Sequence, residues 1–110
     1  MKSFSIYIAY VPWGEDGKYR PVLVFEKDRR IVRTFGITTQ YENKSPQIKA
    51  QYYEIKDWKG AGLAKRSYID TVYPIEFESA IFEGKTQVGV LSDRDVLGFI
   101  QFIRGVKKQW

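Results

Sequence analysis

Arg20 stands directly before Pro21, at the head of the apolar run in GKYRPVLVFEKD, residues 17–28. A residue before proline is pushed out of the α region into extended geometry, so the backbone of this arginine is held stiffly. Its guanidinium is a planar, permanently charged fork that matches a phosphate. Two readings follow: a solvated strand end, the ordinary fate of such arginines, or an anion site. Downstream, Thr38 closes the run IVRTFGIT and is followed by Thr39 and Gln40. Hydroxyls and an amide at a strand end can hydrogen-bond a phosphate or a base edge, although threonine is also a good strand residue. Trp13, in the segment PWGEDGKY just before Arg20, either packs back onto the body of the protein or offers a stacking surface. Trp58, in KDWKG, carries the same ambiguity, and Trp110 is expected to cover the terminal helix.

The chain has neither histidine nor cysteine. That excludes zinc sites of the usual ligand set, a thiolate nucleophile, a Ser-His-Asp triad and a two-histidine ribonuclease. Any proton transfer must run through Asp, Glu, Lys, Tyr, water or the substrate. The triplets EIK and DWK, within Glu54–Lys59, mimic the tail of a metal-nuclease motif, but no convincing upstream aspartate precedes them. No Gly-rich loop ends in Gly-Lys-Ser/Thr, so a phosphate loop is absent. The pair Lys65 and Arg66 reads as a solvated face just before Tyr68 and Asp70. A net charge of +5 with 16% aromatic residues suits a phosphate-bearing partner or an acidic protein, and does not choose between them.

At 110 residues the chain is expected to form one domain, residues 1–110. No apolar stretch approaches the length of a membrane span, and no leader pattern opens it. With no cysteine, this suggests the cytoplasm. The alternation of Phe4, Ile6, Ile8 and Tyr10 predicts a first strand with those four on one face. PWGEDGKY reads as a loop; RPVLVFEK as a strand covered on both sides, with Pro21 at its start; IVRTFGIT as its hairpin partner. Gly36, within that partner, marks a bulge or a close approach. IKAQYYEI predicts a half-exposed fourth strand, and Leu63–Arg66 a helical turn. SYIDTVYPIEF predicts a strand with Ile69, Thr71, Tyr73, Ile75 and Phe77 on one face. QVGVL is a short strand, and SDRDVLGFIQFIRGVKK is a helix with Ser92 and Asp95 at capping-box spacing. Lys107 and Lys108 near its end suit the macrodipole. The sum is a small, mostly β barrel with a C-terminal helix.

In this order the segments VPWGEDGKYRPVLVF, GITTQ, GLAKRSYIDTVYPI and VGVLSDRDVLGFI resemble the MazF/PemK family of toxin endoribonucleases from bacterial toxin–antitoxin pairs. The resemblance spans Tyr10 to Ile103, most of the chain. It implies an SH3-like barrel of five to seven strands that forms a homodimer, with single-stranded RNA crossing both subunits. It also implies cleavage without metal or other cofactor: the ribose 2′-hydroxyl attacks the adjacent phosphate, leaving a 2′,3′-cyclic phosphate and a 5′-hydroxyl. The family's catalytic arginine and threonine match Arg20 and Thr38, and the acidic position used as base in some members matches Asp70. A guanidinium is a poor general base, so Arg20 is assigned to stabilising the transition state, with Thr38 donating to the same centre. Where those members carry an arginine, this chain has Tyr68, so the general acid is open among Tyr68, Lys18 and Arg20. RNA contacts are assigned to Trp13, Lys18 and Tyr19 before and within the Arg-Pro strand, and to Thr39, Gln40, Ser67 and Tyr68 beyond it. An antitoxin with an acidic, partly disordered tail is the expected protein partner. The alternatives are a gyrase-binding toxin of the CcdB type, acting through its C-terminal end, and an RNA-binding barrel without catalysis.

Overall fold

Alternating apolar residues draw the first half of the chain into two consecutive hairpins. The computed structural model describes residues 2–13 and 15–107. Its elements are β1 (Ser5–Trp13), β2 (Asp16–Lys27), β3 (Ile31–Thr38), α1 (Pro46–Lys49), β4 (Tyr52–Glu54) and β5 (Tyr68–Glu78), then a 3₁₀ turn (Ser79–Phe82), β6 (Gly89–Val90) and α2 (Asp93–Lys107). The side chain of Trp13, and Lys108 and Trp110, lie outside the described residues.

One antiparallel sheet orders the strands β4-β5-β3-β2-β1-β6 and curls into half a barrel. The expectation of a mostly β fold with a C-terminal helix therefore holds. Residues alternate between two covered faces. Ile6, Leu23, Phe35, Ile37 and Ile69 turn towards α2, where Phe99 is fully buried. Its ring meets Phe25, Phe35 and Tyr53 edge-on at 5.7–6.0 Å between centroids. Burying such a side chain stabilises the fold by about 1.5–3 kcal/mol. On the other face Tyr7, Val22, Val24, Val32 and Phe77 pack with Phe82 of the 3₁₀ turn. Asp28 accepts hydrogen bonds from the amides of Arg30 and Ile31, both at 2.8 Å, and so pins the β2–β3 turn. No helix among the described residues is long and apolar enough to cross a membrane.

The start of α2 shows a half-formed capping box. Ser92 Oγ accepts from the Asp95 amide at 3.2 Å, as the spacing predicts. The Asp95 carboxylate does not fold back on Ser92's own amide. It is fully buried and accepts from the Tyr53 hydroxyl and from the amides of Lys56 and Asp57, each at 2.8 Å. The helix start is thereby fastened to β4.

Several sequence expectations are corrected. PWGEDGKY is mostly strand: β1 runs through Trp13, β2 begins at Asp16, and those two residues pair. Pro21 consequently lies inside β2, not at its start, and pairing with β3 ends at the next residue, Val22. Of the first strand's predicted inner face Ile6 is buried and Phe4 packs partly buried against the same core; Ile8 and Tyr10 are 41% and 46% exposed, while Tyr7 and Ala9 on the other face are buried. IKAQYYEI is not one strand, because Ser45 caps a helical turn that begins at Pro46, leaving only Tyr52–Glu54 extended. Leu63–Arg66 is irregular, not helical. In β5 the simple alternation breaks, since the two-residue step Thr34–Gly36 faces the five-residue step Asp70–Ile75. Ile69 therefore packs towards α2 and Phe77 towards the opposite core.

Candidate active site

The site begins where β2 and β3 part. Proline offers no N–H to a ladder, and the last β2–β3 pair at this end is Val22 with Gly36. Two residues further along each strand, Arg20 and Thr38 carry their side chains on the face of Val22 and Gly36, into one cavity. In the next strand Asp70 pairs with Gly36, and beyond it Tyr52 pairs with Asp70. Gly36 thus lies in a row between Val22 and Asp70 and contributes no side chain to the floor. The bulge predicted from Gly36 is real, although the surplus residues belong to β5.

Arg20, Thr38, Asp70 and Tyr52 line one cavity of about 540 Å³, with Lys18, Gln40, Lys44 and Tyr73 among its other residues. Thr38 and Asp70 are each oriented by a backbone amide. Thr38 Oγ accepts from the Gln40 amide at 3.0 Å, so its own proton can be directed to a guest. Asp70 Oδ1 accepts from the Val72 amide at 2.9 Å, which anchors the carboxylate within the bulge. The Tyr52 phenol is held above its ordinary pKa, chiefly by burial, then by the charge of Asp70 and a hydrogen bond with it; the charge of Arg20 acts the other way. A phenol so placed stays protonated at neutral pH and has a proton to donate. The loop after β3 is pinned by Tyr41, whose ring stacks on Tyr68 at 4.3 Å with planes 10° apart. This holds Gln40 and Lys44, on either side of Tyr41, at the cavity.

The proposed catalytic trio is therefore brought together, with Lys18 and Gln40 beside it. Other assigned residues are not. Tyr19 alternates to the opposite face, 70% exposed and packed against Tyr10 at 5.3 Å. Ser67 is buried and donates to the Lys65 carbonyl at 2.8 Å. Tyr68 is buried under Tyr41 and does not line the cavity, which removes it as a proton donor there. Thr39 is exposed outside the lining. Trp58 packs against the core below α2, and Asp57 of the DWK triplet is tied to Arg94 and Ser92 at 2.7 and 2.6 Å. Among the described residues no group of three or more His, Cys, Asp or Glu side chains is placed to hold a metal ion.

Sequence reasoning missed Tyr52, Lys44 and Tyr73. A signal for the first was present: adjacent tyrosines in a strand must face opposite ways, so only one of Tyr52 and Tyr53 could join the core under α2. Chemically, the cavity unites a permanent cation, a hydroxyl donor, a carboxylate and a protonated phenol. No family model matches this chain, and no curated protein is significantly similar to it.

Proposed function

We propose that this chain is the toxin of a type II toxin–antitoxin pair, an endoribonuclease of the MazF/PemK kind on an SH3-like barrel, cutting single-stranded RNA without a metal. One observation carries the reading: Arg20, Thr38 and Asp70, from three different strands, line the same cavity. Such a chain needs no histidine, because the substrate brings its own nucleophile. Asp70 takes the proton of the ribose 2′-hydroxyl as its oxygen attacks phosphorus. Arg20 and Thr38 hold the non-bridging oxygens, where charge accumulates in the transition state. The products are a 2′,3′-cyclic phosphate and a 5′-hydroxyl. Lys18 and Lys44 add positive charge along the path of the backbone, and the exposed ring of Tyr73 offers a base a stacking surface at the rim. The resemblance adds a homodimer and an antitoxin whose acidic tail covers this basic groove.

The deciding experiment incubates purified protein with a long RNA. Cleavage is expected to persist in EDTA, to leave cyclic phosphate ends, and to vanish when the nucleotide at the cut carries a single 2′-deoxy substitution. Dependence on magnesium would refute the mechanism. RNA left intact at micromolar protein would favour a gyrase-binding toxin or a non-catalytic RNA-binding barrel.

A further inference from the structure

We propose that Tyr52 is the proton donor to the departing 5′-oxygen. The inference rests on the nuclease reading above and fills the role that the sequence left open. Tyr52 lies directly across the β4–β5 ladder from Asp70 and lines the cavity shared with Arg20 and Thr38. Its competitors are worse placed. Tyr68 is stacked under Tyr41 away from the cavity, and a guanidinium gives up a proton only at extreme pH. Lys18 lines the cavity too, but it is exposed and carries no strand-pair contact with Asp70.

The short strand β4 is locked on both sides of Tyr52. The preceding carbonyl, of Gln51, accepts from both the amide and the hydroxyl of Thr71, at 3.0 and 2.6 Å. The following side chain, Tyr53, is tied to Asp95 at 2.8 Å. Burial and the neighbouring Asp70 keep the phenol protonated, the state an acid must have before the reaction.

The step balances without an outside proton. Asp70 accepts the 2′-hydroxyl proton, the O2′–P bond forms, the P–O5′ bond breaks, and the Tyr52 proton passes to O5′. The phenolate then recovers a proton from the Asp70 carboxyl, its partner across the β4–β5 ladder, by way of water.

The test compares Tyr52→Phe with wild type on two RNAs that differ only at the cut linkage, where one carries sulfur in place of the bridging 5′-oxygen. A thiolate departs without protonation. Tyr52→Phe is expected to cut the oxygen substrate about 10²–10⁴-fold more slowly, the usual contribution of a positioned acid. It should cut the sulfur substrate at nearly the wild-type rate, whereas Arg20→Ala slows both. Equal slowing on both substrates, or none on either, overturns the proposal and leaves the nuclease reading standing. Wild type that cuts neither overturns both. Should Tyr52→Phe melt below the assay temperature, fluorotyrosine at position 52 replaces it. Its more acidic phenol moves the alkaline limb of the pH–rate profile downward, and an unmoved limb overturns the assignment.

Discussion

The hydroxyl of Tyr53 donates to Oδ1 of Asp95 at 2.8 Å, joining β4 to the first turn of α2. The same carboxylate receives the amides of Lys56 and Asp57 and has no solvent exposure. Asp95→Ala would strand three donors at once. Since each buried group left without a partner costs about 1–3 kcal/mol, a loss of about 3 kcal/mol or more is expected in urea denaturation. Asp95→Asn should recover only part of it: its carbonyl oxygen can replace Oδ1 and keep Tyr53 and Lys56, while its NH₂ group meets the Asp57 amide donor to donor. A variant as stable as wild type would show that water replaces the carboxylate.

Arg20 and Thr38 should behave as one unit in catalysis. Each alanine variant is expected to slow single-turnover RNA cleavage by about 10²–10³-fold, as loss of a transition-state donor does elsewhere. The double variant should be far less than multiplicatively worse, because both groups hold the same centre. Arg20→Lys is expected to stay impaired, since an ammonium lacks the planar fork. Fully multiplicative losses would place the two side chains at separate points on the RNA.

Gly36 separates stability from activity. A Cβ built there meets only the tip of Ile75, at 3.8 Å, and its backbone has no positive φ. Gly36→Ala should therefore fold at least as well as wild type, by up to about 1 kcal/mol from the reduced entropy of the unfolded chain. Gly36→Val would project its methyls from the cavity floor, so cleavage should fall sharply while the melting temperature does not. Retained activity in Gly36→Val would mean that the RNA does not enter this cavity.

Asp57 gives the fold a weak dependence on acid. Hydrogen bonds from Ser92 and Arg94, more than the charge of Arg94, lower its carboxyl below the ordinary value of 3.8. The folded form thus holds the ionised state more tightly, and the stabilisation is complete above that ordinary value. It drains away as the pH falls through the lowered one. The stability difference between wild type and Asp57→Asn, measured by denaturation, is expected at pH 7 and should vanish in strong acid. Because the pair with Arg94 is largely exposed, added salt should shrink the difference as well.

The sequence carried the hairpins and α2 legibly because their signals are local: alternation in β2 and β3, a turn at Asp28, a serine cap at Ser92. Arg20 and Thr38 were legible too, since each ends a recognisable run. What failed depended on distant partners. Ile8 is as apolar as Ile6, yet it stays exposed while Ile6 joins the core under α2. The alternation of β5 gave no warning of its surplus residues, whose conformation is set by bonds from Thr71 to Gln51 and from Val72 to Asp70. Tyr52 escaped notice because its meaning lies in the strand that pairs with it.

Those surplus residues of β5 have a consequence for how the protein can drift over generations. They uncouple the two ends of the β3–β5 ladder, as slack between two gears would. A misalignment at the Ile31–Glu78 end is absorbed before it can carry Asp70 away from Gly36.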